Sequence, residues 1–65
     1  MIKLSKFKSK DDEFVLNAEL IETVEETPDT VITLVNGKKF IVEESMDQIV
    51  RLVIRYRQQI GGSLR

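Results

Sequence analysis

Asn36-Gly37, set between Thr30-Val-Ile-Thr-Leu-Val35 and Lys38-Lys-Phe-Ile-Val-Glu43, limits the fold more than any other part of the chain. Asn-Gly accepts positive φ at both central positions of a tight turn, and β-branched and aromatic residues flank it on both sides. The pattern predicts a two-residue type I′ hairpin. If Val35 pairs with Lys38, Val31 lies opposite Val42 and Thr33 opposite Phe40 on one face. Ile32 then opposes Ile41, and Leu34 opposes Lys39, on the other. Both sheet faces are therefore expected to be apolar near the open end of the hairpin.

The same strand-forming residue types crowd the first 44 positions, and the remainder changes to a helical period. Ile2 and Leu4 share a face of a first strand, and Phe7 is out of phase with them, which predicts a bulge near Ser5 and Lys6. Ser9 to Asp12 is expected to form a polar turn before Phe14 and Leu16. Asn17-Ala18-Glu19 offers an Asx corner, and Thr27-Pro28-Asp29 a further turn. Ser45 with Gln48 forms a capping box, which starts a helix from about Met46 to Ile60, and Gly61-Gly62 supplies its stop. Asp47 and Arg51 are spaced for an i,i+4 pair. The expected architecture is α+β, an antiparallel meander of about four to five strands followed by one C-terminal helix, with residues 1–60 as one domain and 61–65 as a flexible tail.

On a helical wheel Met46, Ile49, Val50, Leu52, Val53, Ile54, Tyr56 and Ile60 fill roughly 200°, about twice the stripe needed to cover one sheet. The surplus marks Val50, Leu52 and Ile54, with Arg51 and Arg55 beside them, as a surface for self-association or a partner. A domain of 65 residues has a thin core, so help from a second copy is expected.

Composition excludes much chemistry. The chain contains no His and no Cys, so it lacks imidazole bases, thiol nucleophiles, disulfides and zinc clusters. Its hydroxyl side chains have no histidine to activate them. Three glycines make no phosphate-cradling loop. Glu22, Glu25, Glu26 and Asp29 are better read as a solvated acidic edge than as acid–base or hard-cation carboxylates, because strand alternation sends neighbours to opposite faces. The expectation is a protein that is not an enzyme and that uses no cofactor or metal.

Charge is unevenly placed. Lys3, Lys6, Lys8 and Lys10 give +4 in the first ten residues, residues 11–29 carry −8, and Arg51, Arg55, Arg57 and Arg65 close the chain. The lysine row resembles a nucleic-acid track, yet Phe7, Phe14 and Phe40 occupy core-like positions and the net charge is −1, so nucleic acid is not the expected partner. The row also suits an edge strand guarded against aggregation. The opening segment alternates charged and apolar residues, and no apolar run reaches the length of a membrane span, so the chain is expected to be cytoplasmic.

Larger motifs run in order through the chain. They are Phe14-Val-Leu-Asn17, Leu20-Ile-Glu22-Thr-Val-Glu25-Glu-Thr-Pro28-Asp29-Thr30, Asn36-Gly37-Lys38-Lys-Phe40-Ile-Val42, Glu44-Ser45 and Ile54-Arg55-Tyr56-Arg57. Together they resemble the small flagellar FlbD-like (SwrD) family. The resemblance implies a non-enzymatic bacterial protein, cytoplasmic and recruited to the flagellar motor, that supports swarming by raising motor torque. Its implied partners are stator units or their rotor contacts, and the alternative is an adaptor or regulator of flagellar assembly or gene expression. Lys8-Ser-Lys-Asp-Asp12 stands where the family often has a tight Asn-Gly turn, Ala18 where it often has Pro, and Glu43 where Lys is common.

Overall fold

The computed structural model describes residues 1–63, with side chains at all of these except Lys10 and 61–63. Strands β1 (Ile2–Lys6), β2 (Ser9–Leu16), β3 (Ile21–Glu26), β4 (Thr30–Leu34) and β5 (Lys39–Val42) form one antiparallel sheet, followed by helix α1 (Met46–Ser63). A 3-10 turn, Ala18–Leu20, links β2 to β3. The expected α+β arrangement is present. The spatial order is β2-β1-β5-β4-β3, so the hairpin β1–β2 and the meander β3–β4–β5 meet where β1 lies beside β5.

That seam is short. Its one register pair is Lys6 with Val42, framed by Phe7 N–H donating to the Ile41 carbonyl and Glu43 N–H donating to that of Ser5, at 3.1 and 2.9 Å.

The Asn36-Gly37 hairpin forms, but one residue out of the expected register. Thr30 pairs with Val42, Val31 with Ile41, Ile32 with Phe40 and Thr33 with Lys39. Leu34 and Lys38 close a three-residue loop, in which Gly37 N–H donates to the Leu34 carbonyl and Asn36 Oδ1 accepts from Lys38 N–H. Only Gly37 takes positive φ in this loop, at 90°. The turn is therefore the three-residue kind with a left-handed bulge residue, not type I′.

The physical reason lies in the faces. A one-residue slip exchanges every side chain between faces. In the expected register Ile32 and Leu34 lie on the other face from Phe40 and Val42; in the observed one Ile32, Leu34, Phe40 and Val42 share a face and join the core, with Thr30 buried beside them. Val31, Thr33, Lys39 and Ile41 take the other, which near the open end carries the apolar pair Val31–Ile41, with Ile41 47% exposed. A Cβ added at Gly37 meets nothing within 4 Å, so Gly37→Ala tests backbone strain alone. We expect a loss of about 1 kcal/mol, read by urea denaturation.

The first hairpin also differs from expectation. Its turn is Phe7-Lys8, with Lys8 at φ 62°, and Ser9 to Asp12 already belong to β2. The expected irregularity between Ser5 and Lys6 is present: Ser5 pairs with Glu13 and Lys6 with Ser9, so the surplus residues lie on β2. Tertiary contacts, not local polarity, place this turn. Phe7 N–H is held by β5, Lys8 N–H donates to the Glu43 carboxylate, and Lys8 Nζ stands 5.5 Å from the Phe7 ring centroid.

The core comprises Ile2, Leu4, Leu16, Ala18, Ile32, Leu34, Val42 and Ile49. Phe14 and Phe40 pack against it across β1, their ring centroids 5.3 Å apart. The outer strands are β2 and β3, so β1 and its lysines are not an edge. Lys3 and Lys6 instead bridge to Glu13 and Asp12 of β2, at 3.4 and 3.6 Å. The charges that guard the edges are Asp11, Asp12 and Glu13 on β2 and Glu22, Glu25 and Glu26 on β3.

Helix α1 passes through Gly61 and Gly62 to Ser63, beyond the expected stop at Ile60. Paired glycines permit a helix end without compelling one; each costs about 1 kcal/mol within a helix. Arg57 is consequently left short of the last turn, where the dipole would favour it. The remainder of the expected tail, 64–65, lies outside the described residues.

Candidate functional site

The start of α1 is fixed by reciprocal hydrogen bonds. Ser45 N–H donates to Gln48 Oε1 at 2.7 Å, and Gln48 N–H donates to Ser45 Oγ at 3.1 Å, which is the expected capping box. A third acceptor comes from the sheet. Glu26 Oε1, at the end of β3, accepts from Met46 N–H at 2.8 Å, supplying a carboxylate where the helix N-terminus carries partial positive charge.

The linker just before the helix has a similar role toward β1. Both carboxylate oxygens of Glu44 accept from Ser5 N–H, at 3.0 and 3.1 Å, while Glu43 holds the Phe7-Lys8 turn. Three glutamates that the sequence presents as charged surface thus fix how the helix meets both halves of the sheet. The place of Glu44 directly before the capping-box residue Ser45 was the available signal for one of them. Nothing local in the sequence links Glu26 to a helix twenty residues later.

So anchored, α1 turns Ile49 into the core at 1% exposure, with Leu52, Val53 and Tyr56 packed around it. The five residues singled out from the sequence divide between two flanks of the helix. Val50 and Ile54, 47% and 49% exposed, line a groove with Ile21, Val24, Ile49, Val53 and Arg57, between α1 and edge strand β3. Met46, one turn before Val50, continues the exposed apolar ridge. Arg51, Leu52 and Arg55 lie on the opposite flank, in a cleft with Lys3, Glu44 and Gln48.

Leu52 is not an outlying residue of the apolar arc, as the wheel suggests, but part of the packed interface, and it forms the floor of this cleft. The expected Asp47–Arg51 pair does not form: the ion pairs among the described residues are Lys3–Glu13 and Lys6–Asp12. The groove residues Ile21 and Val24 were legible only as an apolar pair three apart on an otherwise exposed strand.

Among the described residues no group of three or more acidic side chains is arranged to hold a metal ion, and no buried side-chain polar atom lacks a partner. No described helix is long and apolar enough to cross a membrane. What the fold presents is an antiparallel sheet closed by one amphipathic helix, with an apolar groove on one flank of that helix and a cationic cleft on the other: a small α+β domain whose distinctive surfaces lie along α1. The chain belongs to the FlbD family of flagellar and swarming motility proteins, whose model matches residues 1–61. Its role is accordingly in flagellar and swarming motility. No curated protein and no solved structure matches it.

Proposed function

We propose that this protein is a non-enzymatic factor that raises flagellar motor torque by docking on stator units, or on their rotor contacts, through the exposed flanks of α1. It acts on the cytoplasmic side, recruited to the motor. The observation that supports this reading most directly is the pair Val50 and Ile54, about half exposed beside the buried Ile49, on a helix whose start is fixed by three side-chain acceptors. Exposed apolar side chains on a rigid element suit protein recognition, where a few anchors supply most of the energy. Self-association through the same ridge belongs to this reading, and a monomer at high concentration by light scattering would remove that part.

The deciding experiment measures single-motor torque and filament number in a deletion strain, with and without complementation. Low torque with a normal number of filaments is expected. Missing filaments, with normal torque on those that remain, would transfer the role to assembly or gene regulation. Val50→Asp places a charge in the groove at an exposed site, so stability should change by less than about 0.5 kcal/mol. Swarming in a strain complemented with this variant is expected to fail, and full swarming would exclude the ridge as a contact surface.

A further inference from the structure

The cationic flank of α1 has an electrostatic arrangement that the fold itself does not use. Arg51 and Arg55 are one turn apart, both exposed, and neither enters an ion pair among the described residues. The two acceptor side chains that line the cleft with them are directed elsewhere. Glu44 places both oxygens on Ser5 N–H, and Gln48 Oε1 accepts from Ser45 N–H. The third cation of the cleft is Lys3, whose Nζ is 3.4 Å from Glu13. In a chain with 11 acidic and 10 basic side chains, two neighbouring arginines are left facing solvent over the half-buried Leu52.

We propose that this cleft binds an acidic segment of a partner polypeptide, with two carboxylates one helical turn apart on Arg51 and Arg55 and an apolar side chain on Leu52. A guanidinium presents a planar fork of donors that matches a carboxylate bidentately. Side chains at i and i+4 stand about 5–6 Å apart on a helix, so carboxylates at the same spacing on a partner helix reach both. Nucleic acid is disfavoured on two grounds. The cleft has no aromatic side chain on which a base could stack, and the net charge of −1 opposes accumulation at a phosphate backbone. The proposal rests on the reading that α1 is the surface through which the protein meets its target, and it assigns that target's chemistry on one flank.

The test is an NMR titration of the full chain with a synthetic helical peptide carrying glutamates four residues apart beside leucines. Selective movement of the Arg51 and Arg55 Nε–H signals and the Leu52 methyl signals is expected, weakening as salt is raised. The double variant Arg51→Gln/Arg55→Gln should bind about tenfold more weakly, the scale set by two exposed ion pairs. A peptide with glutamines in place of the glutamates should show the same loss. Both arginines are exposed, so the variant should melt with the wild type.

Unchanged affinity in the double variant would overturn the proposal. So would tighter binding of oligothymidylate to the same signals, or their movement with protein concentration alone, which would assign the cleft to a second copy. The result is separable from the torque measurement: normal torque in a deletion strain leaves peptide binding standing, and absent peptide binding leaves the torque result intact.

Discussion

Ile49→Ala lowers the melting temperature by about 15 °C, the largest effect we expect from any substitution on the helix. Among the described side chains of α1, Ile49 is the one in the fully buried core, at 1% exposure. Truncating a buried isoleucine to alanine costs about 2–5 kcal/mol, because the transfer term is joined by a cavity that the surroundings fill only partly. Taking about 3 kcal/mol, and about 4–8 °C per kcal/mol in a domain of this size, gives the stated shift. Total stability at about 0.05–0.15 kcal/mol per residue is itself only about 3–10 kcal/mol, so much of it is lost. Val50→Ala, one residue along but half exposed, serves as the control and should change stability little. Differential scanning calorimetry reads both, and equal shifts would mean that α1 is seated on the sheet in another rotation.

Glu44→Ala is expected to cost about 1.5–2 kcal/mol, although the residue looks like surface in the sequence. Its carboxylate is part-buried and accepts Ser5 N–H with both oxygens, at 3.0 and 3.1 Å. Hydrogen bonds to charged groups contribute about 1.5–3 kcal/mol, and removal leaves a strand N–H without its acceptor. Glu44→Gln keeps one acceptor oxygen and loses the charge, so it should fall between wild type and Ala in urea denaturation. Faster hydrogen exchange at Ser5 N–H in Glu44→Ala would localise the effect to the β1 seam. Wild-type stability in Glu44→Ala would show that the seam is held without this contact.

The two outcomes differ in how readable they were from the chain. The core seat of α1 follows from 3.6-residue periodicity, and the Ser45–Gln48 box marks the helix start, because both signals are local. The Asn17 corner was equally legible, its Oδ1 accepting Glu19 N–H as the short Asx pattern requires. The register of the Asn36-Gly37 hairpin was not. The dipeptide fits either a two-residue turn or a three-residue loop with Gly37 left-handed, and the choice is made by which register gathers Ile32, Leu34, Phe40 and Val42 onto one face.

The Phe7-Lys8 turn and the roles of Glu26, Glu43 and Glu44 fall in the same class. Each depends on a contact with residues 20 to 39 positions away, which no window along the chain contains. Of the interaction surface, exposure at Val50 and Ile54 was legible as a surplus of apolar arc. The division into an apolar groove and a cationic cleft required knowing that β3 and β1 lie on opposite sides of α1.

The seam between β1 and β5 also governs the order in which the chain can fold. β1 is synthesised early, but its partners across the seam, Val42, Glu43 and Glu44, come more than thirty residues later. Local hairpins close in microseconds, whereas contacts so distant along the chain must first overcome the entropy of a long loop. Folding should therefore be limited by one late docking step, in which the hairpin β1–β2, the meander and the helix start come together at Glu43-Glu44-Ser45. A chain halted before Lys39 lacks β5, the strand against which its first hairpin is laid.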